Sequence, residues 1–532
     1  MEFKKNVSAI RYFGFRNLRI FIRLIICFFS LIGFSSCDPY SDEAQVQIVT
    51  GADLFKPFLS PPREIVYGPY SLKVTPDTAV IAWEEMRGRE KLRHVEVYIV
   101  GLSPATEYVY CVNGAEKDGR LLTPPVDDSP FSFFIWGDSR TDSDTARQVA
   151  DKMMEIDPDA SFALHTGDFV LDGDSVECWE SEWWGPMSDF MLYLPIYPIM
   201  GNHEANSEIY HRYFSALEGK GATYSFDWGG IHVVVLDSNR GQTGIDEQIE
   251  WLKADLQANM DADFIIAGHH LPAYASSTDG GNGSEMLQNT LVPIYEQYGV
   301  DLVISGDVHT YQHHLKNNIH YIISAGGGAR LYDYGLPLGG MTMKLYKTFN
   351  FSHVLADSES INITTYDLEG NTLDSFEVVR GEPTDINSMI KVEIGTSEVT
   401  PGDQFLLDIF VQGVENLDKV SFTLAFYRDD PPIMLKVIDA DMQIEGVQIE
   451  KGGLKGDVIV NQADNAQGII KYQEENIGSF YSEMIKVASA TFEVPEDVKV
   501  AALYLIPKFI LFDMSGKKVP HFMGGVKVII KR

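Results

Sequence analysis

The amino-acid sequence predicts a multidomain chain, α/β in its middle and all-β on either side. Three observations carry this reading. With 532 residues, 45% of them hydrophobic, the chain can bury more than one core. Residues 63–127 and 388–532 show short alternating apolar and polar runs closed by turn residues, as β-sandwiches do. Between them, over 130–380, strand-like runs that end in glycine and polar residues alternate with amphipathic helical patterns, which is the signature of a layered α/β domain.

Residues 1–36 read as an export signal rather than a domain. Lys4, Lys5, Arg11, Arg16, Arg19 and Arg23 precede the apolar run LIICFFSLIGF, which is too short to cross a bilayer comfortably, and then SSC ending at Cys37. The small residues before Cys37 resemble the lipobox of a bacterial lipoprotein, with Phe34 where leucine is usual. Lipidation of Cys37 is therefore expected, with simple cleavage or an uncleaved anchor as the alternatives. The expected product is exported and lipid-anchored to a bacterial membrane, in the periplasm or at the cell surface. Removing residues 1–36 takes away a net +5, so the charge of −34 becomes −39. Such acidity, with a pI near 4.7, argues against nucleic acid or anionic surfaces as partners. A small anionic substrate would need locally concentrated positive charge, which a bound metal supplies. Cys111 and Cys178 lack metal-ligand spacing and read as buried free thiols, with one disulfide as the alternative.

Residues 37–62 read as a linker. In 63–127, SLKVTPDTAVIAWE and HVEVYIVGLSPATEYVYCVNG give strands at regular spacing without a titratable cluster, so a scaffolding role is expected. GLSPATEYVYCV is similar to the late strands of a fibronectin type III domain.

The middle block carries the chemistry. FSFFIWGDSR ends at Asp138 and Arg140, and a helical pattern with Val149, Met153 and Ile156 follows it. ASFALHTGDF ends at Asp168, LPIYPIMGNHE at Asn202 and His203, DFIIAGHHLPAY at His269 and His270, and LVISGDVH at Asp307 and His309. Taken singly, each has an ordinary explanation: an aspartate after glycine caps a helix, Asn-His is a turn, and a lone histidine is usually a core group. Together they place carboxylates, an amide and imidazoles at five strand ends, where open α/β sheets bind ligands. This is a donor set of the kind that holds two divalent cations.

GNHE at 201–204, SGDVHTYQ, HLPAY and ISAGGGA, in this order, resemble the metallophosphoesterase superfamily and, within it, the purple acid phosphatase branch. The resemblance implies a central α/β sandwich of two sheets flanked by helices, with two metal ions that cleave phosphate esters through a metal-bound hydroxide. It also implies roles. Asp138 and His309 would bind the first metal, Asp168 would bridge, and Asn202 and a histidine of HHLP would bind the second. His270 fits H-x-P-x-Y-x-S; His269, which directly follows Gly268, is the alternative. His203 would protonate the leaving alkoxide.

The departures are equally specific. Arg140 stands where the usual phosphoesterase has histidine two residues after the first aspartate, and Leu171 stands where the purple branch has its tyrosine. A purple iron site is therefore not expected. Asp307 replaces the first histidine of GHxH, which as a carboxylate favours the harder cations Mn²⁺, Mg²⁺ or Fe²⁺ over Zn²⁺. Arg140 is expected to clamp substrate phosphate as a bidentate fork. Trp179, Trp183 and Trp184 are expected to pack rather than line a cleft, and His165, His232, His313 and His314 to be structural.

The block 388–532 returns to β patterning. VTPGDQFLLDIFVQGVENLDKVSFTLAFYRDD is similar to the opening strands of cohesin-like modules, and LFDMSGKKVP reads as a hairpin. A protein partner for this sandwich is expected. The functional expectation is a phosphomonoesterase of small phosphorylated substrates. The alternatives are a phosphodiesterase at the same site, and a surface binding lipoprotein whose phosphatase domain has decayed.

Overall fold

The computed structural model describes residues 64–531, apart from 88–90, 113, 205–206, 279–282, 385, 430–431, 441–445, 447, 482 and 499–500, together with the backbone of Ile25–Ile26 and Val46–Thr50. The rest of the expected signal segment and the lipidation site Cys37 lie outside the described residues.

Ile65–Leu72 (β1), Thr78–Arg87 (β2) and Lys91–Val100 (β3) form an antiparallel sheet. Glu107–Val112 (β4) and Gly119–Leu122 (β5) pair antiparallel in a second one. Val46–Thr50 adds to β4 in register from Val46↔Val112 to Thr50↔Tyr108, so this sheet draws on a segment expected to be linker. The alternation of Val46 and Ile48 with Gln47 is the pattern that supports it. This module shares one core with the central domain. Tyr67 stacks on Trp184 at 5.3 Å between ring centroids, the Tyr70 hydroxyl donates to the Tyr213 carbonyl at 2.8 Å, and the Tyr110 hydroxyl donates to that of Leu192 at 3.2 Å.

The central domain has two sheets. Phe131–Trp136 (β6), Phe162–His165 (β7) and Ile196–Pro198 (β8) run parallel. The other sheet holds Tyr224–Trp228 (β9), Ile231–Val235 (β10), Phe264–Gly268 (β11), Leu302–Ser305 (β12), Tyr311–Lys316 (β13), Ile319–Ser324 (β14) and Thr342–Tyr346 (β15), in the order β9-β10-β11-β12-β14-β13-β15. Asn350–Ala356 (β16), Ser360–Asp367 (β17) and Thr372–Val379 (β18) return to the first sheet, giving β8-β7-β6-β16-β17-β18.

The inner parallel strands are continuous apolar runs because both of their faces are covered. Alternation with period two divides them: Ile266, Leu302 and Ile304 join Phe133 and Ile135 in the core between the sheets, whereas Ile265, Ala267 and Val303 pack with Leu252, Leu256 and Tyr295 of the helices outside. The helix Ser143–Ile156 (α1) follows β6. Asp142 caps it by accepting the Thr145 N–H at 3.1 Å, and Val149 and Met153 are fully buried. The tryptophans lie in the π-helical turn Trp179–Trp184, all three buried: Trp184 packs on Tyr67 and Tyr70 of the N-terminal module, whereas Trp179 and Trp183 pack on Phe169 within the central domain. Cys111 and Cys178 are free but only half-buried, a correction to the expectation of burial.

Residues 389–530 form a separate all-β module with its own core. Gln404–Gln412 and Ile485–Glu493 lead one sheet, and Val414–Ala425 the opposing one. Lys508–Asp513 ends in the expected turn, with Phe512 bridged to Lys518. The module meets β15 through Met523, whose N–H donates to the Thr342 carbonyl at 2.7 Å, and through Lys508 over the Tyr346 ring at 4.5 Å.

Candidate metal centre

The five strand ends converge. Gly137, Gly167, Gly201, Gly268 and Gly306 let the chain turn out of β6, β7, β8, β11 and β12, and at each of them a Cβ would come within 3.0 Å of a neighbouring atom. A Cβ at Gly201 would collide with the Asp168 backbone and carboxylate, and one at Gly306 would stand 2.7 Å from Asp138 Oδ2. Asp138, Asp168 and Asp307 adopt left-handed backbone conformations, with φ of 56°, 58° and 65°. Such conformations cost a non-glycine residue roughly 1 kcal/mol or more. They aim the carboxylates inward.

Asp138, Asp168 and His270 are buried, and one ligand atom from each lies within 4.8 Å of the others. His270 Nε2 is 3.0 Å from Asn202 Oδ1, 3.3 Å from Asp168 Oδ1 and 3.9 Å from Asp307 Oδ1. His309 Nε2 is 3.3 Å from Asp138 Oδ1. Both imidazoles donate Nδ1–H to a carbonyl, His270 to Thr166 and His309 to Arg330, each at 2.7 Å. That fixes the ring orientation and aims Nε2 at the site, where a bound cation would take the place of its proton, the arrangement found behind metal-ligating histidines.

The electrostatics agree with a cation site. Burial pushes the Asp138 carboxyl up, only partly offset by His309. Burial acts likewise on Asp168, but the charges of His270, His203 and Arg140 outweigh it and hold this carboxyl well below the usual range. His270 is raised far above an ordinary imidazole because Asp168, Asp138 and Asp307 overcome the burial that would neutralise it. The site thus attracts positive charge from several directions.

His269 does not join this group. Its Nδ1–H donates to the Leu271 carbonyl at 2.7 Å, its ring stacks on Tyr295, and burial pushes it down to about 4. Successive residues leaving a strand face opposite ways, so His269 enters the outer helix layer while His270 enters the site. Leu171 offers only its carbonyl, which accepts His203 Nδ1–H at 2.6 Å; the other ring nitrogen of His203 lies 3.8 Å from Asp168 Oδ2 at a partly open rim. Arg140 donates Nε–H to Asp168 Oδ2 at 3.0 Å, and its Nη2 points to His309 Nε2 at 3.5 Å.

Sequence reasoning gave Glu204 no role. This buried carboxyl group, which burial and the Asp168 charge push up to about 8, accepts four backbone N–H groups, from Asp168 at 3.0 Å, Phe169 at 2.9 Å, Val170 at 3.3 Å and Gly201 at 2.8 Å, and so ties the Asp168 loop to the Asn202 loop. The signal available was the crowding of N–H groups in two glycine turns, which need an acceptor once buried. His165, His313 and His314 make structural contacts, with Ser139, Asp374 and Thr342 respectively.

With these features in place, comparison with known proteins is consistent. Residues 137–311 match the family model of the calcineurin-like phosphoesterases. Purple acid phosphatase 15 of Arabidopsis thaliana is 28% identical over 290 residues, covering 44% of this chain and 53% of that protein. Acid phosphatase type 7 of Danio rerio is 28% identical over 251 residues, covering 41% and 56%. The chain spans about half the length of the curated relatives it matches. A purple acid phosphatase from yellow lupin seeds superposes with a TM-score of 0.51 at 16% identity, covering 60% of this chain and 75% of that one, and shares the fold. The central domain is a calcineurin-like phosphoesterase domain with purple acid phosphatases among its homologues. That family implies a dinuclear metal site, and the oxygen-rich donor set around His270 fits a divalent cation.

Proposed function

We propose that this chain is a metal-dependent phosphoric ester hydrolase acting on phosphomonoesters. The observation that carries this is the convergence of Asp168, Asn202, His270 and Asp307 within 3.9 Å of the His270 Nε2 atom, with His203 at the rim. Asp168, Asn202, His270 and Asp307 would hold a divalent cation, which would supply charge neutralisation to phosphate oxygens and acidity to water near neutral pH. The side chains do the rest. The Asn202 amide orients a phosphate oxygen. His203 donates Nδ1–H to the Leu171 carbonyl and turns its Nε2 toward the site, from which it would protonate the leaving alkoxide. Of the Arg140 guanidinium's donors, one is taken by Asp168 and one points to His309, leaving the others for phosphate. That two relatives bear the names purple acid phosphatase 15 and acid phosphatase type 7 supports the phosphatase reading, and with it the monoester.

The acidic exported chain is tethered through a lipid on Cys37, a reading supported by the sequence of residues 1–37, and its C-terminal sandwich docks a protein partner. A Cys37→Ser chain that stayed mature and membrane-bound would refute the tether. For the activity, the purified chain is assayed with an aryl phosphate and a bis-aryl phosphate in Mn²⁺. Faster turnover of the monoester is expected. Asn202→Ala should lose metal and rate together, whereas His203→Asn should keep metal and lose roughly 10²- to 10⁴-fold in kcat. Absence of turnover in every divalent metal would overturn the proposal.

A further inference from the structure

We infer that Arg140 occupies the place of one of the two metal ions, so that the site of this chain holds a single divalent cation, on the Asp168–Asn202–His270–Asp307 side. The inference rests on the reading of the site as metal-binding and changes its composition.

The first-metal side is already filled. Its expected donors are Asp138, Asp168 and His309, with a phenolate at position 171. Position 171 is a leucine whose side chain is largely outside, 47% exposed. The Arg140 guanidinium stands between the other donors, with Nε on Asp168 Oδ2 at 3.0 Å and Nη2 at 3.5 Å from His309 Nε2. Both oxygens of Asp138 accept the Asp307 N–H at 3.2 Å, and Oδ1 faces His309. An ion bonded to Asp168 Oδ2 and His309 Nε2 would therefore have to enter the space of a guanidinium, which stays protonated at any accessible pH and repels a second cation. Arg140 supplies that side with one fixed positive charge, placed on the bridging carboxylate where an ion would otherwise sit.

The other side is open and correctly spaced. Adjacent ligand atoms around an octahedral ion with bonds of about 2.1 Å lie about 3.0 Å apart, and opposite ones about 4.2 Å. The distances from His270 Nε2 are 3.0 Å to Asn202 Oδ1, 3.3 Å to Asp168 Oδ1 and 3.9 Å to Asp307 Oδ1, all inside that range. Asn202 is exposed, so an ion can reach it from solvent. Asp307, where an imidazole was expected, adds a negative charge on this side, so the charge distribution favours one cation here and the guanidinium there.

The test measures metal content rather than turnover. The purified chain is saturated with Mn²⁺, freed of excess, and analysed for manganese per chain and for its electron paramagnetic resonance spectrum. One manganese with an isolated, uncoupled signal is expected. Arg140→His, which restores the imidazole of the usual phosphoesterase, should raise the content to two and give an exchange-coupled spectrum. Asn202→Ala should empty the native site, while His309→Ala should leave its ion in place. Two manganese ions in the unaltered chain, or loss of the ion in His309→Ala with retention in Asn202→Ala, would overturn the inference and leave the proposed hydrolase standing. No bound manganese would overturn both. If Arg140→His fails to fold, the native stoichiometry and the Asn202/His309 pair still decide.

Discussion

Replacing Glu204 by glutamine should loosen the whole site without touching a ligand. Glu204 Oε1 accepts the N–H groups of Phe169 and Val170, and Oε2 those of Asp168 and Gly201, in a position only 1% exposed. The amide keeps one oxygen and turns an –NH₂ group toward the two donors served by the other. Each buried N–H left without an acceptor costs about 1–3 kcal/mol, so the substitution should destabilise the domain by about 2–6 kcal/mol. That is a large part of the 5–15 kcal/mol typical of a folded domain. Glu182 provides the control. It also accepts two backbone N–H groups, from Thr141 at 3.0 Å and Leu171 at 2.8 Å, but at the surface, where water replaces it. Urea unfolding followed by tryptophan fluorescence is suited to the measurement, because all 7 tryptophans precede the C-terminal module and report only on the rest. Glu204→Gln should lower the midpoint markedly and weaken Mn²⁺ binding at least tenfold, while Glu182→Gln should change stability by less than about 1 kcal/mol. Equal small effects from both would show that Glu204 does not hold the two loops together.

Asp307→His should shift the preferred cation from Mn²⁺ or Mg²⁺ toward Zn²⁺ in a competition assay, because imidazole suits the more borderline ion; unchanged preference and occupancy would remove Asp307 from the ligand set. Far from the site, His232 lies between Asp227 at 2.7 Å and Asp255 at 2.8 Å, and these bonds outweigh the opposing effect of burial and push it up to about 9. Since the folded value lies above the unfolded one near 6.5, its stabilisation is complete below pH 6.5 and is lost as pH rises to 9, by about 3 kcal/mol. Asp255→Asn should flatten that decline in a series of unfolding curves, and a parallel decline in both proteins would refute the assignment.

The strand ends were legible because glycine followed by a charged or amide residue is distinctive punctuation at the close of an apolar run. A choice such as His269 against His270 is harder, since it turns on which face each residue meets after the last strand residue, and only the H-x-P spacing hinted at it. Arg140 shows a different limit. Its residue type fits a phosphate clamp, but its contacts with Asp168 and His309 span 28 and 169 positions of sequence and arise only when β6, β7 and β12 are aligned. Glu204 was hidden for a related reason, as its partners are backbone groups that carry no side-chain signal. The strand at Val46–Thr50 was too short to stand out from its polar surroundings.

The left-handed backbone of Asp138, Asp168 and Asp307 sets the direction in which random change would carry this domain. Glycine at any of the three would relax the main chain by roughly 1 kcal/mol, while deleting a carboxylate from the cluster. Folding stability and metal binding therefore pull these positions in opposite directions. The main-chain relief is offset at Asp138 and Asp168 by the hydrogen bonds their carboxylates accept from the Asp307 N–H, the His203 N–H and Arg140, so the pull toward glycine is least opposed at Asp307. A glycine at any of the three would therefore be read first in the metal content and only afterwards in the stability of the domain.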